Sequence, residues 1–232
     1  VGILTETALA VDGLTPEAMC DLVQARTEVQ LAAGRIPVIL GGEHSVSIGS
    51  IRAAAAACKG RMGVLQFDAH ADTREEYHGS PCNHACIMAR AREVADVVQV
   101  GIRAIDQEEL VGLDLERVFF AHQVMQAPDR SWMDRAVGLL PHEVYITVDL
   151  DGFDPSLVPA TGTPEPGGLD WYTVNELIRR VLASGRQLVG FDVNELLPQD
   201  GQHASNFLAA KLVYRIMSMQ VASTSGERSA AS

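Results

Sequence analysis

Four cysteines in 232 residues, with no CxxC pair among them, leave no framework for a disulfide-stapled fold or a multi-thiolate zinc site. Cys20, Cys58, Cys82 and Cys86 read as reduced thiols, which points to a cytoplasmic enzyme. Cys82-Asn83-His84-Ala85-Cys86 crowds two thiols around an imidazole but lacks a second ligand pair, so packing is its simpler reading. No apolar run approaches the roughly 20 residues that span a bilayer, and no basic–apolar–small signal segment is seen. Basic residues are scarce, 18 against 30 acidic. The resulting formal charge of −12 speaks against a nucleic-acid or anionic-membrane surface and favours a cationic ligand. Neither an internal repeat nor an interdomain linker is visible. Residues 1–222 therefore read as one domain, and the small polar stretch 223–232 as a flexible tail. The chain opens at Val1 and not at methionine, which leads us to expect a further N-terminal segment ahead of it.

What is present alternates. Short β-branched runs at 36–40, 62–67, 97–101, 117–120, 143–149 and 187–193 are separated by helical stretches at 45–58, 83–95, 130–139, 170–184 and 204–219. That order predicts an α/β fold: a central, mainly parallel sheet between two layers of helices. Thr15-Pro16-Glu17 predicts a helix start, with a capping hydroxyl, proline in the first turn and an acid favoured by the dipole, and Gly34 predicts its end. Residues 155–169, rich in Pro, Gly and Thr, predict a long ordered loop of the kind that carries function.

In a parallel sheet, ligands gather at the carboxyl ends of the strands. Four segments follow predicted strands on that edge: Gly41-Gly42-Glu43-His44-Ser45, Asp68-Ala69-His70-Ala71-Asp72, Asp149-Leu150-Asp151-Gly152-Phe153-Asp154 and Asp192-Val193-Asn194-Glu195. In extended chain, residues two apart share a side, which groups Asp68 with His70 and Asp72, and Asp149 with Asp151. Concentrated carboxylate at the rim of an apolar core repels itself unless a cation neutralises it. Four aspartates carry four negative charges, which two divalent ions cancel. Carboxylates with imidazoles suit Mn²⁺ and also Zn²⁺ or Fe²⁺. Two such ions about 3.5–4 Å apart lower the pKa of a shared water enough for attack at neutral pH. Taken alone each segment has a plainer reading: a turn at Asp154-Pro155, a tight connection at Gly41-Gly42, a helix-start contact at His44. Their joint occurrence at four strand ends argues against coincidence.

The segments GGEHS (41–45), DAHAD (68–72), VDLDGFDPS (148–156) and GTP-x-x-GG (162–168) resemble those of the ureohydrolases, the family of arginase and agmatinase. They occur in the family's order across most of the chain. The resemblance implies an arginase-like three-layer α/β/α fold, two Mn²⁺ ions, and hydrolysis of a guanidinium group to urea and an amine. Position by position it implies one ion on His44, Asp68, Asp72 and Asp149, and the other on His70, Asp68, Asp149 and Asp151, with Asp68 and Asp149 bridging. It implies that Glu195 orients the substrate guanidinium, a planar fork of N–H donors that matches two carboxylate oxygens. It further implies that His84 shuttles protons, with His78 as an alternative, and that Asp151 holds the attacking water in line. Trimers or hexamers are the assemblies it suggests.

Among substrates, Thr73-Arg74-Glu75-Glu76-Tyr77-His78-Gly79-Ser80 does not reproduce the arginase pattern after the DAHAD run, and GTPEPGGL (162–169) looks more like agmatinases. Agmatine, hydrolysed to putrescine and urea in polyamine biosynthesis, is the leading expectation. A guanidino-acid hydrolase of the guanidinobutyrase or guanidinopropionase type is the nearest alternative, in which Arg74 faces a carboxylate. Formiminoglutamase and an inactive scaffold relative are the others, although all six ligand positions are filled. Glu43 stands where most members carry aspartate, and it is expected to alter hydrogen bonding around His44 without removing a ligand.

Overall fold

The computed structural model describes residues 2–224. Six strands form: β1 Val38–Leu40, β2 Met62–Phe67, β3 Ala95–Ile102, β4 Val118–Phe120, β5 Glu143–Asp149 and β6 Gln187–Asn194. All pair in parallel, in the order β1-β6-β5-β2-β3-β4. The expected mainly parallel sheet is thus wholly parallel among the described residues. All six β2 residues are buried, because helices cover both faces and neither side of the pleat meets water.

Among the described residues eight α-helices accompany the sheet: α1 Pro16–Ala32, α2 Val46–Ala57, α3 Ile87–Val94, α4 Gln107–Gly112, α5 Ala121–Met125, α6 Ser131–Leu139, α7 Trp171–Ala183 and α8 His203–Thr224. Thr15 caps α1, its hydroxyl accepting from the Ala18 amide at 3.2 Å, and Gly34 follows the helix at φ +69°. On one face Cys20, Ile48, Ile51, Ile87 and Met88 from α1–α3 pack against Met62, Val64, Val97 and Tyr145. On the other, Met133, Leu177, Ile178, Leu212 and Ile216 from α6–α8 cover Leu65, Phe67, Val100, Ile146 and Phe191. Successive β2 residues point to opposite faces, so Val64 serves one layer and Leu65 the other.

Several boundaries move. The helix expected from 83 begins as a 3₁₀ turn at His84–Cys86 before α3, and α3 runs straight into β3, which starts two residues earlier than expected. The short helices α4 and α5 were not anticipated. α8 runs on to Thr224, through the first two residues of the expected tail, and the rest of that tail lies outside the described residues. All four cysteines are free thiols. No helix among the described residues is long and apolar enough to cross a membrane.

The winding order positions the site. From β2 the chain moves outward through α3 to β3 and β4, then returns to β5 on the other side of β2 and moves through α7 to β6. The carboxyl ends of β2 and β5 therefore flank the point where winding reverses, the preferred place for a ligand crevice.

Candidate metal centre

Strand register aligns the chemistry. Phe67 pairs with Val148, Val148 with Val193, and Val193 with Leu40. One residue further on, Asp68 and Asp149 stand side by side on neighbouring strands, flanked by Asn194 and Gly41. A Cβ on Gly41 would lie 2.1 Å from Asn194 Oδ1, so only glycine lets that turn close. Gly101, at φ +99°, similarly lets β3 pass the Asp68 carbonyl, where a Cβ would sit at 2.9 Å.

Two clusters of donor atoms result. In the first, His44 Nδ1 faces Asp68 Oδ2 at 3.3 Å, Asp149 Oδ2 at 3.3 Å and Asp72 Oδ2 at 3.5 Å. In the second, His70 Nδ1 faces Asp151 Oδ2 at 3.0 Å and Asp68 Oδ1 at 3.6 Å. Asp68 belongs to both, one oxygen to each. All six side chains foreseen as ligands thus converge. The other Asp149 oxygen accepts from the Asp151 amide at 2.8 Å. Asp72 sits at φ +54°, and this left-handed turn of the backbone brings its carboxylate back toward His44.

The tautomer of His44 follows from its neighbours. Thr147 Oγ1 donates to Asp192 Oδ1 at 2.6 Å, so towards His44 it acts as an acceptor, and Nε2–H lies 2.8 Å away. In the neutral ring Nδ1 then carries the lone pair; burial opposes a charge on it, but the Asp149, Asp68 and Asp72 carboxylates it faces raise the His44 pKa well above its ordinary value. Nδ1 is buried, lacks a hydrogen-bond partner of good geometry, and is aimed at three carboxylate oxygens. Lone pairs facing one another in a buried site repel unless a proton or a metal ion lies between them. A proton cannot satisfy three carboxylates at once, and a divalent cation can. The donor set of imidazole nitrogen and carboxylate oxygen fits Mn²⁺.

The titration behaviour expresses the same crowding. Burial, then the charges of Asp68 and Asp151, hold the Asp149 carboxyl well above its ordinary range. Burial and the Asp68 charge push Asp72 up to about 7. Burial opposes charge on His70, yet hydrogen bonds to Asp151 and Asp68 raise it to about 11. Asp68 is buried too, but the imidazoles of His44 and His70 that face it pull it below the usual carboxylate value.

Beneath the clusters lies a buried polar layer. Gln66 Nε2 donates to Asp68 Oδ2 at 2.7 Å, and Gln99 Nε2 donates to Gln66 Oε1 at 2.7 Å and to the Ala71 carbonyl at 2.8 Å. Arg92 anchors Gln99 from the far side at 3.0 Å. Beside Thr147, Asp192 also accepts from Asn194 Nδ2 at 2.6 Å, and Asn194 reaches Ser47 Oγ at 2.9 Å. Our reading of the sequence overlooked Gln66, Gln99 and Thr147, and gave Asp192 no role of its own; β6 runs to Asn194, one residue past its expected end. A signal was available: Gln66, Thr147 and Asp192 are polar residues two or three positions before a candidate site residue, and Gln99 is a polar residue inside an apolar run.

Glu195 follows β6 at φ +62°, an uncommon conformation for this residue, and its Oε1 accepts from the His44 amide at 2.7 Å. Burial raises its pKa above the ordinary value. His84 stands nearer the surface, its Nδ1 2.8 Å from Glu43 Oε1, while the other Glu43 oxygen binds Ser45. The His84 pKa is raised, chiefly by that hydrogen bond to Glu43. His78 instead packs against Tyr77, ring centroids 4.1 Å apart. Asp154 turns away from the clusters: it accepts from Ser156 and from the Gly167 and Gly168 amides, stapling the loop, as a turn reading requires.

A profile of the arginase family matches residues 3–219. The chain belongs to the arginase family. It is a ureohydrolase-type enzyme by its relatives. It is 39% identical over 217 residues to an N(1)-aminopropylagmatine ureohydrolase of Synechocystis, covering 90% of this chain and 67% of that protein. It is 34% identical over 185 residues to an agmatinase of Pyrococcus horikoshii, covering 79% and 62%. The crystal structure of agmatine ureohydrolase of Thermoplasma volcanium superposes with a TM-score of 0.81 at 32% identity, covering 92% of this chain and 72% of that one. The chain thus spans about two thirds of the length of the curated relatives it matches. The arginase of Bacillus caldovelox, at 23% identity and a TM-score of 0.75, shares the fold.

Proposed function

We propose that this arginase-family chain hydrolyses the guanidinium group of agmatine to urea and putrescine with two Mn²⁺ ions. The observation that carries the reading is the buried, unpartnered His44 Nδ1 aimed at three carboxylates, beside a second cluster that shares Asp68. One ion would be held by His44, Asp68, Asp72 and Asp149, the other by Asp68, His70, Asp149 and Asp151. The bridging role of Asp149 is taken from the family pattern. When bound, the ions would supply a water acidic enough to attack carbon at neutral pH.

The protein's own groups do the rest. The Glu195 carboxylate pairs with the guanidinium N–H groups and presents its carbon to the paired sites. Asp151 accepts a hydrogen bond from the attacking water and keeps it in line. His84, whose protonated form the hydrogen bond to Glu43 favours, supplies the proton that the departing amine needs as the C–N bond breaks.

Two ion pairs bear on the substrate. Arg74, the residue that would meet the carboxylate of a guanidino acid, is paired with Asp106 and lies 5.0 Å over the Tyr77 ring. Its charge is already answered, which favours a substrate with no carboxylate. Glu75 is likewise paired, with Arg90.

A second reading, N(1)-aminopropylagmatine, is favoured by the name of the Synechocystis relative. It keeps the same guanidinium chemistry and lengthens the cationic tail. Urea release from agmatine, N(1)-aminopropylagmatine, arginine and 4-guanidinobutyrate by the Mn²⁺-loaded protein decides between them. We expect the two decarboxylated substrates to lead. Faster turnover of arginine or 4-guanidinobutyrate would overturn the substrate assignment while leaving the hydrolysis itself standing.

A further inference from the structure

Arg103, the first residue after β3, spends its guanidinium on the backbone alone. Nε donates to the Pro166 carbonyl at 3.1 Å, and Nη1 to those of Gly101 at 3.0 Å and Gly152 at 3.4 Å. Nη2 donates to the carbonyls of Asp151 at 2.7 Å, Glu165 at 2.7 Å and Phe153 at 3.3 Å. One side chain thereby ties three segments together: the end of β3, the turn 151–153, and the loop 165–166. Among the described residues Arg103 makes no ion pair. A partly buried cation without a carboxylate partner is costly, and here six carbonyl dipoles compensate.

The backbone of the same residue completes the arrangement. The amides of Arg103 and Ala104 both donate to the Ala69 carbonyl, at 2.8 and 2.9 Å, between Asp68 and His70. Asp151 Oδ1 in turn accepts from the Ala69 amide at 3.1 Å, and Thr163 Oγ1 reaches Asp151 Oδ2 at 3.2 Å. Every member of the cluster Asp68–His70–Asp151 is therefore braced at or within one residue of an Arg103 contact. His44 and Asp72, which serve the other site alone, have none, nor does Asp149, which the two-metal reading shares between both.

We infer that Arg103 is a positioning residue that assembles the His70–Asp151 metal site selectively and docks the loop 162–168 against it. The inference rests on the two-metal reading above. Lysine cannot replace it, because an ammonium presents three donors from one point where the guanidinium spreads five across a plane.

The test is Mn²⁺ titration of the whole chain, followed by calorimetry and by electron paramagnetic resonance, for the natural protein, Arg103→Lys and Arg103→Met. The natural protein is expected to bind two ions with a spin-coupled signal. The variants should bind the first ion unchanged and the second at least about tenfold more weakly, with an isolated-Mn²⁺ spectrum. Two ions bound as tightly as in the natural protein would overturn the inference alone. Equal weakening of both ions in a folded variant would overturn its selectivity. Fewer than two ions in the natural protein would overturn the two-metal reading and this inference with it. Should neither variant fold, Thr163→Val decides: a weakened second ion supports the brace on Asp151, and an unchanged one overturns it.

Discussion

Thr147 Oγ1 bridges His44 and Asp192, lying 2.8 Å from Nε2 of the first and 2.6 Å from Oδ1 of the second. The bridge fixes the imidazole tautomer and turns Nδ1 toward the carboxylates. Thr147→Val keeps the side-chain shape and removes the hydroxyl. Mn²⁺ affinity should fall about 10–100-fold, and stability should drop by about 1–3 kcal/mol because buried groups on His44 and Asp192 lose their partner. Calorimetric titration and chemical denaturation check the two effects separately.

Metal should also stabilise the fold. Without it, Asp72 and Asp149 are raised by burial and by neighbouring carboxylates, which marks mutual repulsion in the folded state. Mn²⁺ at a hundred times its Kd should add about 2.7 kcal/mol, which in a chain of this size shifts Tm by roughly 5–10 °C. Thermal melts with Mn²⁺ and with a chelator measure the shift.

His84 should set the alkaline limb of the pH profile. Its pKa is raised, first by the hydrogen bond to Glu43, so the protonated form persists to higher pH and is lost as pH climbs through the raised value. Glu43→Gln removes the negative charge. The alkaline limb of kcat/KM should then move to lower pH, and a limb that stays in place would contradict the proton-donor role.

Glu195→Gln should separate substrate orientation from metal binding. The variant is expected to retain both ions and to lose at least about a hundredfold in kcat/KM, the scale of a lost positioning contact. Metal analysis and steady-state kinetics on one preparation give both readouts.

Much of this was legible in the sequence, and the physical reason is spacing. Asp68, His70 and Asp72 alternate directly after a six-residue apolar run, so strand geometry alone groups them at the sheet's rim. β2 and β5 matched their expected bounds because continuous burial makes their patterns unmistakable. α4 went unseen although Asp106 and Glu109 form a capping box, because a six-residue helix leaves too little periodicity to read. Arg103 was illegible for another cause: its partners are carbonyl oxygens up to 63 residues away, which no side-chain pattern encodes. Gln66 and Gln99 meet only once β2 and β3 pair, although a glutamine inside each apolar strand was a visible anomaly.

The proposed guanidine hydrolysis depends on the cation-seeking clusters that share Asp68. Urea release from agmatine, followed while Mn²⁺ is added stepwise to metal-stripped protein, tests that dependence most directly. We expect no turnover in the stripped chain, full turnover near two ions per chain, and none at any Mn²⁺ level in Asp68→Ala. Undiminished urea release from the stripped protein, or from Asp68→Ala, would contradict it.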